Sequence, residues 1–397
     1  MRGGKLKKFF NHIFLTAIFF VLSFFSLTAH AEKLNLYSDS VILIESTTGR
    51  VIYEENADKI YPPASMTKML TCMLGIEYLS PSTEIKISHD AAAVEYSDLH
   101  LAEGDIISAH DLFLGTMLVS DNGGAVAIAQ AVGGSVENFV EMLNVKLSEI
   151  GCTNTHFANP NGLPNPDHLS TARDMSKIAA YCMRSNEFRE IVGTEYATIH
   201  WIFPAERKVD ALSTNELFGK CEGINGIKTG YTLSAGGCMT ASAKRGDVEL
   251  IAVVMHSDNM ETRFIDAKTL LDYGFSEIEK IHRSDKNNVE KIVYVRGGKK
   301  GATYVGAEED LNFPLLKGED ENLLQISYEL PKIISAEIKA GDVLGKAILN
   351  YNGEEVASVP LVAKENVEKG FSFGSAFVNL TEPLASVFEG VWEIFLA

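Results

Sequence analysis

The chain has 397 residues, 46% of them hydrophobic and 22% charged, the balance of a folded protein rather than a disordered one. Lys and Arg number 35 against 53 Asp and Glu; the resulting charge of −18 repels phosphate backbones and argues against a nucleic-acid partner. At roughly 150 residues per domain, two domains are expected.

Residues 1–31 stand apart. Arg2, Lys5, Lys7 and Lys8 precede an apolar stretch from Ile13 to Leu27, and Ala29-His30-Ala31 places small residues where a signal peptidase cuts. An uncleaved anchor competes with this reading, because Phe9 to Leu27 nearly reaches the ~20 residues that span a bilayer. Cleavage after Ala31 is preferred; it removes four positive charges and takes the chain from −18 to −22. An exported protein is expected.

Val41 to Glu45 and Val51 to Tyr53 flank Thr47-Thr48-Gly49-Arg50 and read as a hairpin. Tyr61-Pro62-Pro63-Ala64 breaks the chain, and a helical pattern follows from Ser65 to about Leu79. Asp111 to Val119 and Gly124 to Val132 read as helices separated by a flexible polar loop, Ser120-Asp121-Asn122-Gly123. Ser135 to Ile150 is amphipathic and is closed by Gly151. A long Asn-, Pro- and Gly-containing loop spans Cys152 to His168, a length often reserved for function. A helix from about Ser170 to Met183 precedes apolar strands at Ile224 to Lys228, Gly237 to Lys244 and Val248 to His256. A last helix, Glu261 to Tyr273, is expected to stop at Gly274.

After Arg283 short β-rich runs (Lys291 to Val295, Leu324 to Tyr328, Lys346 to Tyr351, Val356 to Val362) alternate with Gly-rich turns, including Asn352-Gly353. A small all-β domain over 284–370 therefore follows a catalytic domain over 32–283. Phe371-Ser372-Phe373-Gly374 reads as a linker into an amphipathic tail, 371–397. There Leu384, Val387, Phe388, Val391 and Phe395 share one helical face behind Pro383. The tail suits the membrane interface, with docking on the protein or a dimer seam as alternatives.

Cys72, Cys152, Cys182, Cys221 and Cys238 are scattered, with no CxxC and no His at metal-ligand spacing, so no disulfide framework is expected. With no HExxH and no Gly-rich phosphate loop, neither a metal nor another cofactor is expected.

Three short motifs carry the chemistry. In Ser65-Met66-Thr67-Lys68, spacing i, i+3 puts a hydroxyl and an amine on one helix face. Serine needs a neighbouring base, and lysine becomes one where burial or nearby positive charge lowers its pKa. In Ser120-Asp121-Asn122 a hydroxyl suits proton relay and a carboxamide suits a lysine or a substrate amide. Ser257-Asp258-Asn259 repeats the tripeptide but reads as a strand end and helix cap. Lys228-Thr229-Gly230 ends an apolar strand with a fixed charge, a hydroxyl and room for a substrate backbone. Each is weak alone; in this order they are specific.

The ordered set resembles the motifs of β-lactamases and penicillin-binding proteins. It is most similar to the low-molecular-mass (class C) penicillin-binding proteins that act as D-alanyl-D-alanine carboxypeptidases. Tyr61-Pro62-Pro63-Ala64-Ser65-Met66-Thr67-Lys68 resembles their nucleophile segment. Gly162-Leu163 with His168-Leu169-Ser170-Thr171-Ala172 resembles their active-site loop, and Gly223 to Gly230 their third-motif strand. The resemblance implies an α+β penicillin-binding/β-lactamase-like catalytic domain of helices and an antiparallel sheet, then a small β-sandwich. It implies Ser65 as acylated nucleophile, Lys68 as base and Ser120 as proton relay. Asn122, Lys228, Thr229 and Gly230 would bind substrate, with an oxyanion hole at the N–H groups of Ser65 and Tyr231. Arg263 matches a family arginine that holds the terminal carboxylate, a bidentate task suited to a guanidinium. Some relatives carry His in place of Tyr231; acylation needs only the backbone there, so deacylation is where the change would tell.

The implied partners are peptidoglycan stem peptides, β-lactam antibiotics and, through the tail, a membrane surface, with the protein exported to the outer face of the cytoplasmic membrane and the cell wall space. A DD-endopeptidase or transpeptidase with the same site remains open. A class A β-lactamase is disfavoured because the sequence has no ExxLN string, and a low-turnover sensor because all three motifs are intact.

Overall fold

A computed structural model describes residues 33–286 and 290–371; the expected leader over 1–31 and the amphipathic helix starting at Pro383 lie outside the described residues. The chain enters through β1 (Ser38–Glu45) and β2 (Val51–Glu55), which pair antiparallel as the apolar alternation required. The Glu45 carboxylate fixes the turn between them by accepting from the backbone N–H groups of Thr47 and Thr48 at 3.1 and 2.8 Å.

After a turn at Ala64–Thr67 comes α1 (Lys68–Tyr78), followed by β3 (Glu84–Lys86), the short α2 (His89–Ala92) and β4 (Ile106–Ser108). Next are α3 (Ala109–Leu118), α4 (Asn122–Gly133), α5 (Val136–Ile150), α6 (Ala172–Cys182) and α7 (Asn186–Val192). Side-chain oxygens of Ser108, Asp121, Ser135, Thr171 and Ser185 cap the last five, each accepting a backbone N–H that the helix leaves unpaired. Strands β5 (Tyr196–Phe203) and β6 (Lys208–Leu212) extend β3 and β4 into a four-stranded sheet. Then β7 (Ile224–Thr232), β8 (Gly236–Arg245) and β9 (Val248–Ser257) form a meander that docks on β1, giving the order β2-β1-β9-β8-β7, all antiparallel. α8 (Thr262–Glu277) packs on β8, β9 and β1, and α6 packs on β9 and β1. One buried core joins the sheet to the helical cluster around α1, with Leu70, Phe113, Ile128 and Phe139 wholly buried.

Four expectations change. The Ser120–Gly123 loop is shorter than its polarity implied, because Asp121 accepts from Gly124 N at 2.6 Å and so starts α4 at Asn122. Gly274 does not end α8. A Cβ there would lie 2.5 Å from Leu43 Cδ2 and 2.7 Å from Leu250 Cδ1, so the glycine lets the helix approach the sheet. The β-rich region begins before Arg283, since β10 (Ile278–Ser284) continues from α8 and pairs with a strand beyond residue 310. Finally, β3 to β6 and α7 were not anticipated; β5 buries only Ile199 and Trp201 fully, too weak an alternation to read.

Beyond β10 lie β11 (Glu290–Arg296), β12 (Ala302–Ala307), β13 (Leu311–Leu316), β14 (Leu324–Glu329), β15 (Ile333–Ser335), β16 (Val343–Tyr351) and β17 (Glu354–Ala363). Six of them form the sheet β14-β16-β17-β12-β11-β15, while β13 pairs with β10. Their core is Val293, Val305, Phe313, Leu349 and Leu361. Arg50, on the β1–β2 turn, reaches this region, stacking over Phe313 at 4.3 Å and pairing with Glu319.

Candidate active site

The nucleophile motif sits on a 3₁₀ turn, Ala64–Thr67, rather than on the α-helix expected from Ser65 onward; α1 begins at Lys68. This tighter winding brings residues i and i+3 over one another, which suits the motif better than an α-turn. Ser65 Oγ and Lys68 Nζ lie 2.9 Å apart. The turn starts from Ala64 at φ +49°, a strained conformation for a residue with a Cβ.

Lys68 is wholly buried. Besides Ser65 it touches two acceptors, Asn122 Oδ1 at 2.7 Å and the Asn161 carbonyl at 2.6 Å. The Asn122 amide has only one workable orientation, because its Nδ2 donates to the carbonyls of Glu95 and Tyr96, which cannot donate back. Burial holds the Lys68 amine down at about 7, against a raising effect from the Asp121 carboxylate. A neutral amine has two N–H bonds and one lone pair. The two carbonyls can only accept, so they take both N–H bonds, and the lone pair is left for the Ser65 hydroxyl. In this geometry the amine is able to accept a proton from the Ser65 hydroxyl.

The third motif approaches from the sheet edge. Lys228 is buried, and its ammonium donates to the Thr229 carbonyl at 3.1 Å. Burial and then the neighbouring charges of Lys68 and Arg263 push its pKa well below the usual lysine range. Thr229 Oγ1 shares a 2.7 Å hydrogen bond with Thr214 Oγ1. Gly230 runs along the nucleophile turn: a Cβ on it would stand 3.1 Å from Ser65 N and from the Pro63 carbonyl. Tyr231 follows with its side chain largely in solvent. Arg263, in the first turn of α8, donates from Nη1 to the Gly230 carbonyl at 2.7 Å, while its buried Nε has no partner among the described residues.

Ser65, Lys68 and Asn122 are thus joined by direct hydrogen bonds, and Lys228, Thr229, Gly230 and Arg263 lie along the adjoining strand and helix. Ser120 stands just outside the cap of α4, at φ +64° and partly exposed, its hydroxyl bonded to no protein group among the described residues. The second copy, Ser257-Asp258-Asn259, is a helix-start device, with Asn259 Oδ1 accepting from Thr262 N at 2.9 Å.

Several contributing roles escaped the sequence reading, which named Gly162 and Asp121 only within quoted segments. Asn161 acts through its carbonyl, which any residue possesses. Gly162 makes that approach possible: at φ +85° its missing Cβ would lie 1.9 Å from the Ala64 carbonyl oxygen. Thr71 Oγ1 fastens the same loop by donating to the Pro160 carbonyl at 2.7 Å. Asp121, besides capping α4, accepts from Leu99 N at 2.8 Å; an Asp directly before a helical run was the available signal. Among the described residues there is no cluster of His, Cys, Asp and Glu suited to a metal, and no helix long and apolar enough to cross a membrane. All five cysteines are free and buried.

Comparison with known proteins places this geometry in context. The family model for D-alanyl-D-alanine carboxypeptidase matches residues 27–259, and that for the penicillin-binding protein 5 C-terminal domain matches 279–369. D-alanyl-D-alanine carboxypeptidase DacF of Bacillus subtilis is 34% identical over 337 residues, covering 83% of this chain and 86% of the relative. DacC of Escherichia coli is 31% identical, covering 89% and 91%. Among solved structures, penicillin binding protein 5 from Haemophilus influenzae superposes with a TM-score of 0.69 at 28% identity, over 85% of this chain and all of the other. The Streptomyces K15 DD-transpeptidase gives 0.60 at 28% identity, over 62% of this chain and all of its own.

Proposed function

This chain belongs to the D-alanyl-D-alanine carboxypeptidase family, and on that premise we propose how its residues divide the work of removing the terminal D-alanine from a peptidoglycan stem pentapeptide. It is a serine-type carboxypeptidase and a penicillin-binding protein of that family. Lys68, as free amine, takes the proton of Ser65, whose oxygen attacks the D-Ala-D-Ala carbonyl. The Ser65 and Tyr231 N–H groups hold the oxyanion. Ser120 passes a proton to the departing D-alanine, Asn122 orients both Lys68 and the substrate amide, and water then hydrolyses the acyl-enzyme. Lys228, Thr229 and Arg263 receive the terminal carboxylate against Gly230. A β-lactam follows the same first step and remains as an acyl adduct.

The observation that carries this reading is the lone pair of Lys68, left for Ser65 by two acceptors that cannot donate. The test is labelling with a fluorescent penicillin, wild type against Ser65→Ala, with D-alanine release from a pentapeptide. Labelling and release that both vanish in the variant are expected. Release of hydrolysed penicillin in rapid turnover would overturn it in favour of a β-lactamase, and labelling without any D-alanine release in favour of a sensor.

Export after cleavage at Ala31, the division into 32–283 and 284–370, and attachment of the 371–397 tail to the outer face of the cytoplasmic membrane complete the proposal. The β domain would then hold the catalytic head away from the lipid. Deleting 383–397 and fractionating cells tests the tail, which is refuted by unchanged membrane association.

A further inference from the structure

Behind the nucleophile turn lies an imidazole that the reaction scheme does not use. His168 is 1% exposed and stacks on Phe157 with ring centroids 4.9 Å apart. Its Nδ1 lies 3.0 Å from the N–H of Ala158, which can only donate, so Nδ1 carries no proton. The proton therefore sits on Nε2, which donates to Thr67 Oγ1 at 2.7 Å; Thr67 in turn donates to the Ala64 carbonyl at 2.9 Å. Every polar atom in this chain of bonds is used, in one direction only.

The two ends of the chain matter. Ala158 directly precedes Asn159-Pro160-Asn161, the segment whose Asn161 carbonyl accepts from Lys68. Thr67 lies between Ser65 and Lys68 on the nucleophile turn. We propose that His168 is a positioning residue for acylation: as a neutral imidazole it clamps the Asn161 loop to the nucleophile turn through Thr67, and thereby aims the Lys68 lone pair and keeps water from it. The inference rests on the assignment of Ser65 and Lys68 made above.

Burial, then the charges of His156 and Lys68, hold the imidazole down at about 4, so the ring stays neutral at ordinary pH and both bonds persist. Without the clamp the Asn161 carbonyl is free to withdraw. Water that replaces it relieves the desolvation of Lys68, whose other charged neighbours are Asp121 and Lys228, and the amine becomes harder to deprotonate.

The full chain tests this with a fluorescent penicillin as probe, measuring the acylation rate constant against pH together with Tm. His168→Leu keeps the volume and loses both polar atoms. His168→Gln keeps an acceptor and a donor at nearly the ring's spacing. Thr67→Val breaks the link, together with the Thr67–Ala64 bond, while leaving His168 in place, and keeps the proposal testable where a His168 variant fails to fold. His168→Leu and Thr67→Val are each expected to slow acylation about tenfold, equivalent to about 1.4 kcal/mol of barrier. Each should also move the rising limb of the pH profile to higher pH, whereas His168→Gln recovers most of the rate. The double variant His168→Leu/Thr67→Val should be no slower than either single one. A lowered Tm with wild-type rate and limb, or additive losses of about a hundredfold in the double variant, overturns the clamp. Labelling that survives Ser65→Ala instead overturns the parent assignment.

Discussion

The pH dependence of acylation follows from one buried amine. Lys68 is expected to be half deprotonated near pH 7 because burial has lowered it from 10.5. The free-base fraction is then about a tenth at pH 6 and about nine-tenths at pH 8. Acylation by a fluorescent penicillin, followed by stopped flow, should rise nearly tenfold over that interval and level off. A lysine at its ordinary value would be only about 0.3% deprotonated at pH 8 and would show no plateau. Lys68→Arg keeps donors and charge but cannot lose its proton, so a fall of about a thousandfold is expected. Stability carries the same signature. The unfolded chain binds the proton more tightly, so stability rises with pH between about 7 and 10.5 and is flat below that for this group. The full swing is on the order of 5 kcal/mol, readable as the difference between wild-type and Lys68→Gln urea denaturation across that range. A rate that climbs tenfold per pH unit through pH 9 would refute the reasoning, since Lys68 would then be charged at neutrality.

Gly162→Ala should abolish penicillin labelling and lower Tm, because its Cβ would meet backbone at 1.9 Å at φ +85°; Gly274→Ala, whose Cβ meets only the tips of Leu43 and Leu250, should destabilise by about 1–3 kcal/mol in denaturant melts and label normally. Asp121→Asn removes the charge that raises Lys68, so the acylation limb should move to lower pH; a limb that stays in place would show that Asp121 serves only as a cap. Arg263→Gln should lower kcat/KM for a D-alanine-terminated peptide about tenfold or more, chiefly through KM, while a far larger fall in kcat would place Arg263 in the chemical step instead.

What could be read from the sequence was chemistry that depends on residue type at short range. Ser65 and Lys68 share one turn, and Lys228-Thr229-Gly230 lies within the last part of an apolar strand that runs on to Thr232 rather than closing it, so side-chain identity and spacing were enough. The 3₁₀ winding was not legible, because an i, i+3 pair suits either helix and the choice is made by Pro63 and by packing against Gly230. Asn161 was hidden for a different reason: it acts through a backbone carbonyl 93 residues from Lys68, and no residue type announces a carbonyl. His168 and Thr67, 101 residues apart, stood in segments that carry the resemblance, but nothing in the sequence showed that they meet until the fold joined them. The β3–β6 sheet was missed because its strands are short or half exposed, and their pairing supplies what their alternation does not.

The pocket gathers basic side chains within a chain whose total charge is −18. Lys68, Lys228 and Arg263 are all buried, and the pKa of each is lowered chiefly by desolvation. Asp121 opposes this for Lys68 and Glu216 for Arg263, whereas among the described residues Lys228 bonds only the Thr229 carbonyl and the Arg263 Nε has no partner. Burying such groups without a counter-charge destabilises the fold, and the wholly buried core around α1 and the capped helices must offset it. On the proposed assignment, a D-alanine carboxylate would supply a counter-ion. It would form charge-assisted bonds with Lys228 and Arg263, favouring a substrate that ends in a carboxylate. Selectivity for a C-terminal residue would then follow from the same desolvation that lowers these pKa values, because a peptide without the terminal anion would not offset it.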